Sequence, residues 1–281
     1  MNYIRANVVG DDETFSSPFG HRKITYADYV ASGRSLHFIE DFIRKEILPV
    51  YANTHTTTSF TGLQATLFRY EAREMVLKAV NGAKEHKVIF TGSGSTGAIN
   101  QLVHMMNPET IKLVLVGPYE HHSNILPWRE TGAKIVRIKE DFQRGGPDLF
   151  DLEEKLKTLG PKYASEGKIV GAFSAASNVT GVLTDTNAVT AVLHKYNAKC
   201  VWDYACAAPY ISIDMRPVVE GPHHNLVQKD AIVFSPHKFI GGVQTPGVLV
   251  VSKHMIDNKV PSNPGGGTVF FVDGVGRFVC S

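Results

Sequence analysis

The sequence has little cysteine, little net charge and no long apolar run. Its 281 residues include three cysteines (Cys200, Cys206 and Cys280), which show no CxxC spacing and no disulfide framework. We therefore expect a reducing compartment, most simply the cytoplasm. The formal net charge of +2 gives no reason to expect a nucleic-acid partner. No run approaches the roughly 18 apolar residues of a membrane span, and "MNYIRANVVGDDETF" lacks the apolar core of a signal peptide. We expect no membrane association.

Seven runs typical of strands recur along the chain, with helical patterns between them. Several are unbroken Val/Ile/Leu runs, which indicate strands covered on both faces. Segments such as "GLQATLFRYEAREMVLKAV" place apolar residues at helical spacing. This alternation predicts an α/β fold with three layers, α/β/α, around a mostly parallel seven-stranded sheet. The predicted strands are Lys87–Phe90, Ile111–Gly117, Ala133–Ile138, Lys168–Ser174, Cys200–Asp203, Ala231–Phe234 and Val248–Val251.

Polar clusters follow five of these runs. Ligands of such sheets bind at the carboxyl ends of the strands, so we expect the clusters to meet at one edge. In chain order they are "TGSGSTG", "YEHHSN", "SAASN", "DYACA" and "SPHK". The convergence predicts a binding site built from several strands.

The first cluster has two interpretations. Its glycines allow a tight turn, and the free N–H groups of the following helix, with the hydroxyls of Ser95 and Thr96, would suit a phosphate. The same residues, 92–97, also match the dinucleotide motif GxGxxG, and Glu120 follows the next strand where a ribose-binding acid would be expected. A nicotinamide-dependent oxidoreductase therefore remains an alternative.

The other clusters favour a different cofactor. Lys238 could supply an amine for a Schiff base, Asp203 a carboxylate for a protonated ring nitrogen, and His121 a flat stacking partner. The adjacent side chains of His121 and His122 would diverge, so we expect no shared metal. Pyridoxal phosphate requires this combination of amine, acid, flat ring and phosphate cradle. One cofactor then accounts for five clusters.

The order of the motifs resembles the class V aminotransferase and cysteine desulfurase branch of fold-type I pyridoxal-phosphate enzymes. The resemblance runs from "ITYADYVASGR" to "GGVQTPGVLVVSK". Its motifs are Tyr51-x-Asn53-x-His55, "FTGSGSTGAIN", "EHHSN", "SNVTG", Asp203-x-Ala205 and Ser235-x-His237-Lys238.

The resemblance implies a role for each matched residue. Lys238 would carry the cofactor as a Schiff base, Asp203 would hold the pyridinium proton, and His121 would stack on the ring and take part in proton transfer. Asn178 would lie near the phenolic oxygen or the substrate, which would be an amino acid. The implied phosphate ligands are Ser95, Thr96, Ser235 and His237, and Asn53 and His55 would lie near the substrate.

The chain departs from the family pattern at several points. Cys206 stands where the family has a glutamine, and Thr56 where desulfurases have an arginine. We expect an N-terminal segment (1–50), a cofactor-binding large domain (51–260) and the start of a connection (261–281) to a C-terminal small domain that is largely missing. Cys280 lies in the wrong context for a sulfur-accepting cysteine. The resemblance also implies a homodimer. A further alternative is that the chain is a truncated relative that binds the cofactor without catalysing a reaction.

Overall fold

Strands and helices alternate along the chain as the sequence pattern predicts. The structure is a computed structural model that describes residues 2–265, 269–272 and 278–280. The strands are β1 (Thr14–Ser17), β2 (Gly20–Lys23), β3 (His86–Thr91), β4 (Ile111–Val116), β5 (Lys134–Arg137), β6 (Lys168–Ser174), β7 (Lys199–Asp203), β8 (Ala231–Phe234), β9 (Gly247–Ser252), β10 (Val269–Val272) and β11 (Phe278–Cys280). The helices are α1 (Asn2–Ala6), α2 (His37–Phe42), α3 (Phe60–Ala79), α4 (Gly94–Met105), α5 (Leu126–Arg129), α6 (Leu149–Glu166) and α7 (Thr186–Lys195).

The central sheet contains the seven predicted strands. Their spatial order is β3-β9-β8-β7-β6-β4-β5. Strands β4 to β8 pair in parallel, whereas β9 is antiparallel to both of its neighbours. The predicted α/β fold with a mostly parallel seven-stranded sheet is therefore confirmed. Two small antiparallel pairs, β1 with β2 and β10 with β11, lie outside this sheet.

Both faces of the sheet are covered, which explains the unbroken apolar runs. In β4, Leu113, Val114 and Leu115 are all fully buried, although successive side chains point to opposite faces. Leu113 and Leu115 pack in one apolar cluster with residues of α6 and α7, while Val114 packs in a second cluster with residues of α4. Burying each such side chain contributes about 1.5–3 kcal/mol.

The N-termini of α4, α6 and α7 differ in how they are capped. Asp148 caps α6 by accepting hydrogen bonds from two backbone N–H groups, and Asp185 caps α7 in the same way. Ser93, by contrast, makes no side-chain capping bond at the start of α4. The positive end of α4 therefore faces the carboxyl edge of the sheet without a cap from its own N-cap side chain.

The N-terminal segment packs against the loop that follows β8. The carbonyl oxygen of His237 accepts hydrogen bonds from Gly33 N (2.8 Å) and Ser32 Oγ (3.2 Å), and Gly241 N donates to Arg34 O (2.7 Å). The predicted boundary after residue 50 falls at the end of a 3₁₀ turn, Leu48–Val50. These contacts bring the N-terminal segment to the edge where the polar clusters meet.

The predicted connection, 261–281, lies partly outside the described residues. Residues 266–268, 273–277 and 281 are not described, and neither is the side chain of Cys280. None of the described helices combines the length and the apolar character that crossing a bilayer requires.

Candidate functional site

A cavity of about 490 Å³ opens at the carboxyl ends of the parallel strands. Loops that follow β3, β4, β6, β7 and β8 contribute to its wall, as the convergence of polar clusters predicts. The cavity brings together eight of the residues singled out in the sequence: Ser95, Thr96, His121, Asn178, Asp203, Ser235, His237 and Lys238. Asn53 and His55 are exposed and are not among the residues that line it. Their contact with the substrate stays a prediction.

The glycine-rich turn lies directly against the end of β8. Gly94 has a φ of +56°, a backbone conformation that residues other than glycine rarely adopt. The following N–H, that of Ser95, donates to Ser235 Oγ over 2.8 Å. A Cβ atom on Gly247 would overlap the carbonyl oxygen of Gly94, so glycine is required for this close approach. The turn and the serine of "SPHK" thus form one small polar cradle.

His237 completes the cradle with an unsatisfied nitrogen. Among the described residues, its Nε2 is buried and has no hydrogen-bond partner. Burial lowers the pKa of this ring, and the nearby charge of Lys238 lowers it further. A buried polar atom without a partner is rare in folded proteins and suggests a missing ligand atom. An anion seated on the turn of Gly94 and Ser95 would supply that atom.

Asp203 lies buried at the end of β7 without an ion-pair partner among the described residues. Its Oδ1 accepts a hydrogen bond from Ala205 N over 2.8 Å. Burial raises the pKa of Asp203, and that hydrogen bond and the charges of Lys238 and His121 oppose the rise. A buried carboxylate in this position gains from a cationic partner inside the cavity.

His121 is held in place through one nitrogen. Its Nδ1 accepts from Ser123 N at 3.1 Å, so a neutral ring carries its hydrogen on Nε2. Ser123 Oγ accepts in turn from Thr96 Oγ1 over 2.8 Å, which links this loop to the start of α4. No sequence pattern singles out Ser123, because its role depends on the contact between two loops.

Lys238 ends a 3₁₀ turn, Pro236–Lys238, and is half-buried. Its backbone N–H donates to Ser235 O over 3.0 Å, which fixes the turn. None of the ion pairs among the described residues includes its ammonium group. An amine that is partly desolvated and lacks a salt bridge is well placed to react with a carbonyl.

Glu120 does not serve the dinucleotide alternative. Its carboxylate accepts from Ser174 N (2.8 Å), Ser174 Oγ (2.6 Å) and Asn124 Nδ2 (2.6 Å). Burial raises the pKa of Glu120 to about 7, against the effect of these hydrogen bonds and with a smaller contribution from Asp203. Because its oxygens are occupied within the protein, they are not free to bind a ribose.

Other residues of the wall were missed by sequence reasoning. Asp28, Val30 and Ala31 reach the cavity from the part of the N-terminal segment between β2 and α2, which forms no strand or helix. Cys206, noted as a departure from the family, also lines the cavity, and its Sγ donates to Ala176 O over 3.1 Å. Burial raises the pKa of the Cys206 thiol, and the charge of Asp203 raises it further.

Comparison with known proteins agrees with this geometry. The family profile described as "Aminotransferase class-V" matches residues 25–278. The chain belongs to the class V aminotransferase family. It is 28% identical over 273 residues to a probable cysteine desulfurase of Halalkalibacterium halodurans, covering 93% of this chain and 60% of that protein. It is 26% identical over 255 residues to a cysteine desulfurase of Synechococcus elongatus, covering 88% of this chain and 38% of that protein.

Two solved structures share the fold of this chain. The apo structure of a cysteine desulfurase from Thermococcus onnurineus NA1 has a TM-score of 0.76 and 23% identity, covering 99% of this chain and 63% of that one. A NifS-like protein from Rickettsia africae has a TM-score of 0.67 and 23% identity, covering 85% of this chain and 61% of that one. This chain therefore spans about 60% of the length of several relatives, in a family that uses pyridoxal phosphate.

Proposed function

We propose that the chain is a pyridoxal-phosphate-dependent catalytic domain that acts on an amino acid, as an aminotransferase or as a desulfurase-like lyase. One observation carries the proposal. A single cavity joins an amine without a salt bridge, a buried carboxylate without a cation and a glycine turn beside an unpartnered histidine nitrogen. Pyridoxal phosphate is a cofactor that satisfies all three groups at once.

The residues present fit this cofactor. The orphaned Nε2 of His237 and the N-terminus of α4 suit the phosphate, with the hydroxyl groups of Ser95, Thr96 and Ser235 supplying further donors. Burial raises the pKa of Asp203, and none of the ion pairs among the described residues includes its carboxylate. A protonated ring nitrogen would supply a cationic partner and keep the acid ionised.

Within such a site each side chain has a distinct task. When bound, the cofactor supplies an electron sink for a carbanion at the substrate Cα. Lys238 Nζ would hold the cofactor covalently and, once released by the substrate amine, would take and return the Cα proton. His121 would cover the ring and present Nε2–H, since Ser123 N occupies its Nδ1. Asn178, exposed at the mouth of the cavity, would contact the phenolic oxygen or the substrate.

Cysteine is the first substrate to test, because the relatives are named as cysteine desulfurases. Cys206 in place of glutamine gives the site a thiol where the family has an amide, and Thr56 replaces an arginine. These differences bear on the choice between desulfuration and transamination. Cys200 and Cys206 are both free thiols, which supports a reducing, cytoplasmic location.

We further propose that the chain forms a homodimer. Helix α3 has only Gly62 and Thr66 buried, while an apolar stripe along it stays exposed. Phe60, Leu63 and Leu67 follow helical spacing, with exposed fractions of 72%, 39% and 45%. A second copy of the chain would cover this stripe.

The decisive experiment reconstitutes the protein with pyridoxal phosphate and reduces it with borohydride. We expect a visible absorption band before reduction and, afterwards, a peptide covalently labelled at Lys238. Lys238→Ala should lose the label, whereas Lys253→Arg, at an exposed lysine outside the cavity, should keep it. A label on another lysine, or tight NADH binding without a visible band, would refute the proposal. Labelling at Lys238 without turnover of any amino acid would instead support the non-catalytic relative.

A further inference from the structure

A second cluster of reactive side chains lies at the opposite edge of the sheet. Cys200 is the second residue of β7, Asp230 directly precedes β8, and His194 lies in the last turn of α7. Asp203, at the other end of β7, is three residues from Cys200, or about 10 Å along the strand. The cluster is therefore separate from the candidate active site.

The donor atoms of this cluster converge. One ligand atom each from His194, Cys200 and Asp230 lies within 4.8 Å of the other two. His194 Nε2 is 3.0 Å from Asp230 Oδ2, and Asp230 N donates to Cys200 Sγ over 3.3 Å. Cys200 is fully buried and Asp230 is 6% exposed. Ligand atoms around a tetrahedral zinc ion lie about 3–4 Å apart, so only small movements would be needed.

The contacts of His194 place its Nε2 directly against a carboxylate oxygen of Asp230. Its Nδ1 lies 2.9 Å from Leu226 O, which can only accept, so Nδ1 carries a hydrogen. In a neutral ring, Nε2 would then direct an electron pair at the carboxylate of Asp230. This arrangement is repulsive unless a proton or a metal ion lies between the two atoms.

His254 provides a contrast on the same carboxylate. Its Nδ1 lies 2.8 Å from Ser252 Oγ, which can donate, and its Nε2 lies 2.7 Å from Asp230 Oδ1. A neutral His254 therefore satisfies both of its contacts. This ring would hold the carboxylate in place as an outer partner, which is the usual role of groups that bond to metal ligands.

We propose that His194, Cys200 and Asp230 bind one divalent transition-metal ion, with zinc the best match to the three donors. A thiolate, a carboxylate and a neutral imidazole combine soft and borderline ligands that suit zinc better than magnesium or calcium. The two negative charges balance the ion, which is important at a buried position. The N–H of His194 on a backbone carbonyl also matches the orientation seen in metal-bound histidines.

The protons in this binding step are accounted for. Burial raises the pKa of the Cys200 thiol, so without a metal the sulfur keeps its hydrogen. Binding would release that proton, and any proton held between His194 and Asp230, to the solvent. The site is distinct from the proposed cofactor site, so its test does not depend on the proposed function.

The test uses the purified protein after chelation and titrates it with Co²⁺, whose thiolate complexes absorb strongly. We expect one equivalent to bind with a thiolate-to-cobalt band, visible bands of a tetrahedral complex at longer wavelength than the cofactor, and displacement by Zn²⁺. Cys200→Ser should abolish the thiolate band, and Cys206→Ser, at the cysteine of the cavity, should retain it.

A second variant guards against misfolding of the buried cysteine variant. His194 is partly exposed, so His194→Gln should fold, with an unchanged circular dichroism spectrum, and lower the affinity for Co²⁺ at least about tenfold. Zinc should also raise the thermal midpoint of the wild type but not of this variant. Three results would each overturn the proposal: no binding of Co²⁺, a thiolate band that survives Cys200→Ser, or unchanged affinity in His194→Gln. A proton between His194 and Asp230 would then account for their contact.

Discussion

Two buried aspartates show how the surroundings decide what a residue can do. Burial raises the pKa of Asp203, which has one backbone hydrogen bond, whereas hydrogen bonds to His194 and His254 hold the pKa of Asp230 well below its usual range. Asp230 therefore lies between two imidazole rings, whereas no imidazole of the described residues is hydrogen-bonded to Asp203. The sequence distinguishes them only weakly, because both lie beside apolar strands. Their difference arises from residues far away in the chain.

Glu120 predicts a measurable dependence of stability on pH. Its pKa is about 7 in the folded protein and 4.5 in the unfolded chain, so the folded state binds the proton more tightly. The contribution to stability is full below pH 4.5 and is lost as the pH rises through 7, by about 3 kcal/mol in total. Glu120→Gln should flatten this decline, because the amide does not ionise. Urea midpoints measured from pH 5 to pH 8 would show the change.

Glu120→Gln also loses hydrogen bonds, which lowers its stability relative to the wild type at low pH. At pH 5 we expect Glu120→Gln to be about 1–2 kcal/mol less stable than the wild type, because the amide has one oxygen that can accept, whereas both oxygens of the protonated carboxyl group keep acceptor capacity. Exposed Glu130→Gln is the matched control and should follow the wild type at every pH. An identical pH slope in the wild type and Glu120→Gln would refute the role assigned to this carboxyl group.

At the scale of elements, the N-terminal segment supports the loop that carries Lys238. A Cβ atom on Gly33 would overlap the carbonyl oxygen of Phe239. Gly33→Ala should therefore displace the segment, break the bond from Gly33 N to His237 O and weaken cofactor binding. We expect a loss of about 1–3 kcal/mol in stability and a higher dissociation constant for pyridoxal phosphate, measured by absorbance titration.

A second glycine provides the control for this prediction. A Cβ atom on Gly160 would meet only Ile169, at 3.9 Å, and Gly160 lies inside α6. Gly160→Ala should leave cofactor affinity unchanged, and we expect no gain in stability because Pro161 disfavours a Cβ atom on the preceding helical residue. Wild-type cofactor affinity in Gly33→Ala would show that the segment does not support the site.

Sequence patterns predicted the strands better than the contacts between loops. All seven sheet strands were found because burial on both faces leaves unbroken apolar runs, and the edge where the clusters meet follows from parallel pairing. The antiparallel direction of β9 was not predicted, because a short run of apolar residues fits a parallel or an antiparallel strand equally well. Asp28 and Ser123 were missed because their position depends on long-range backbone contacts that leave no periodic pattern.

At the scale of the whole molecule, the exposed stripe on α3 predicts the assembly. Leu63→Glu combined with Leu67→Glu places two charges in the proposed interface and should convert a dimer into a monomer. Sedimentation velocity measures the change. Phe142→Glu is the control, because Phe142 is 89% exposed on a loop apart from α3, and it should leave the dimer intact. A wild type that is monomeric with full cofactor occupancy would contradict the homodimer.

The position of β3 in the sheet has a consequence for folding during synthesis. Strand β3 comes first of the seven along the chain, yet in the described sheet it pairs only with β9, the last. While the ribosome has made only the first 246 residues, β3 has no neighbouring strand, and the turn of Gly94 lacks the backbone of Gly247 against which it rests. A nascent chain of that length already contains Lys238, but the contact between the turn of Gly94 and Gly247 can form only after β9 has been made.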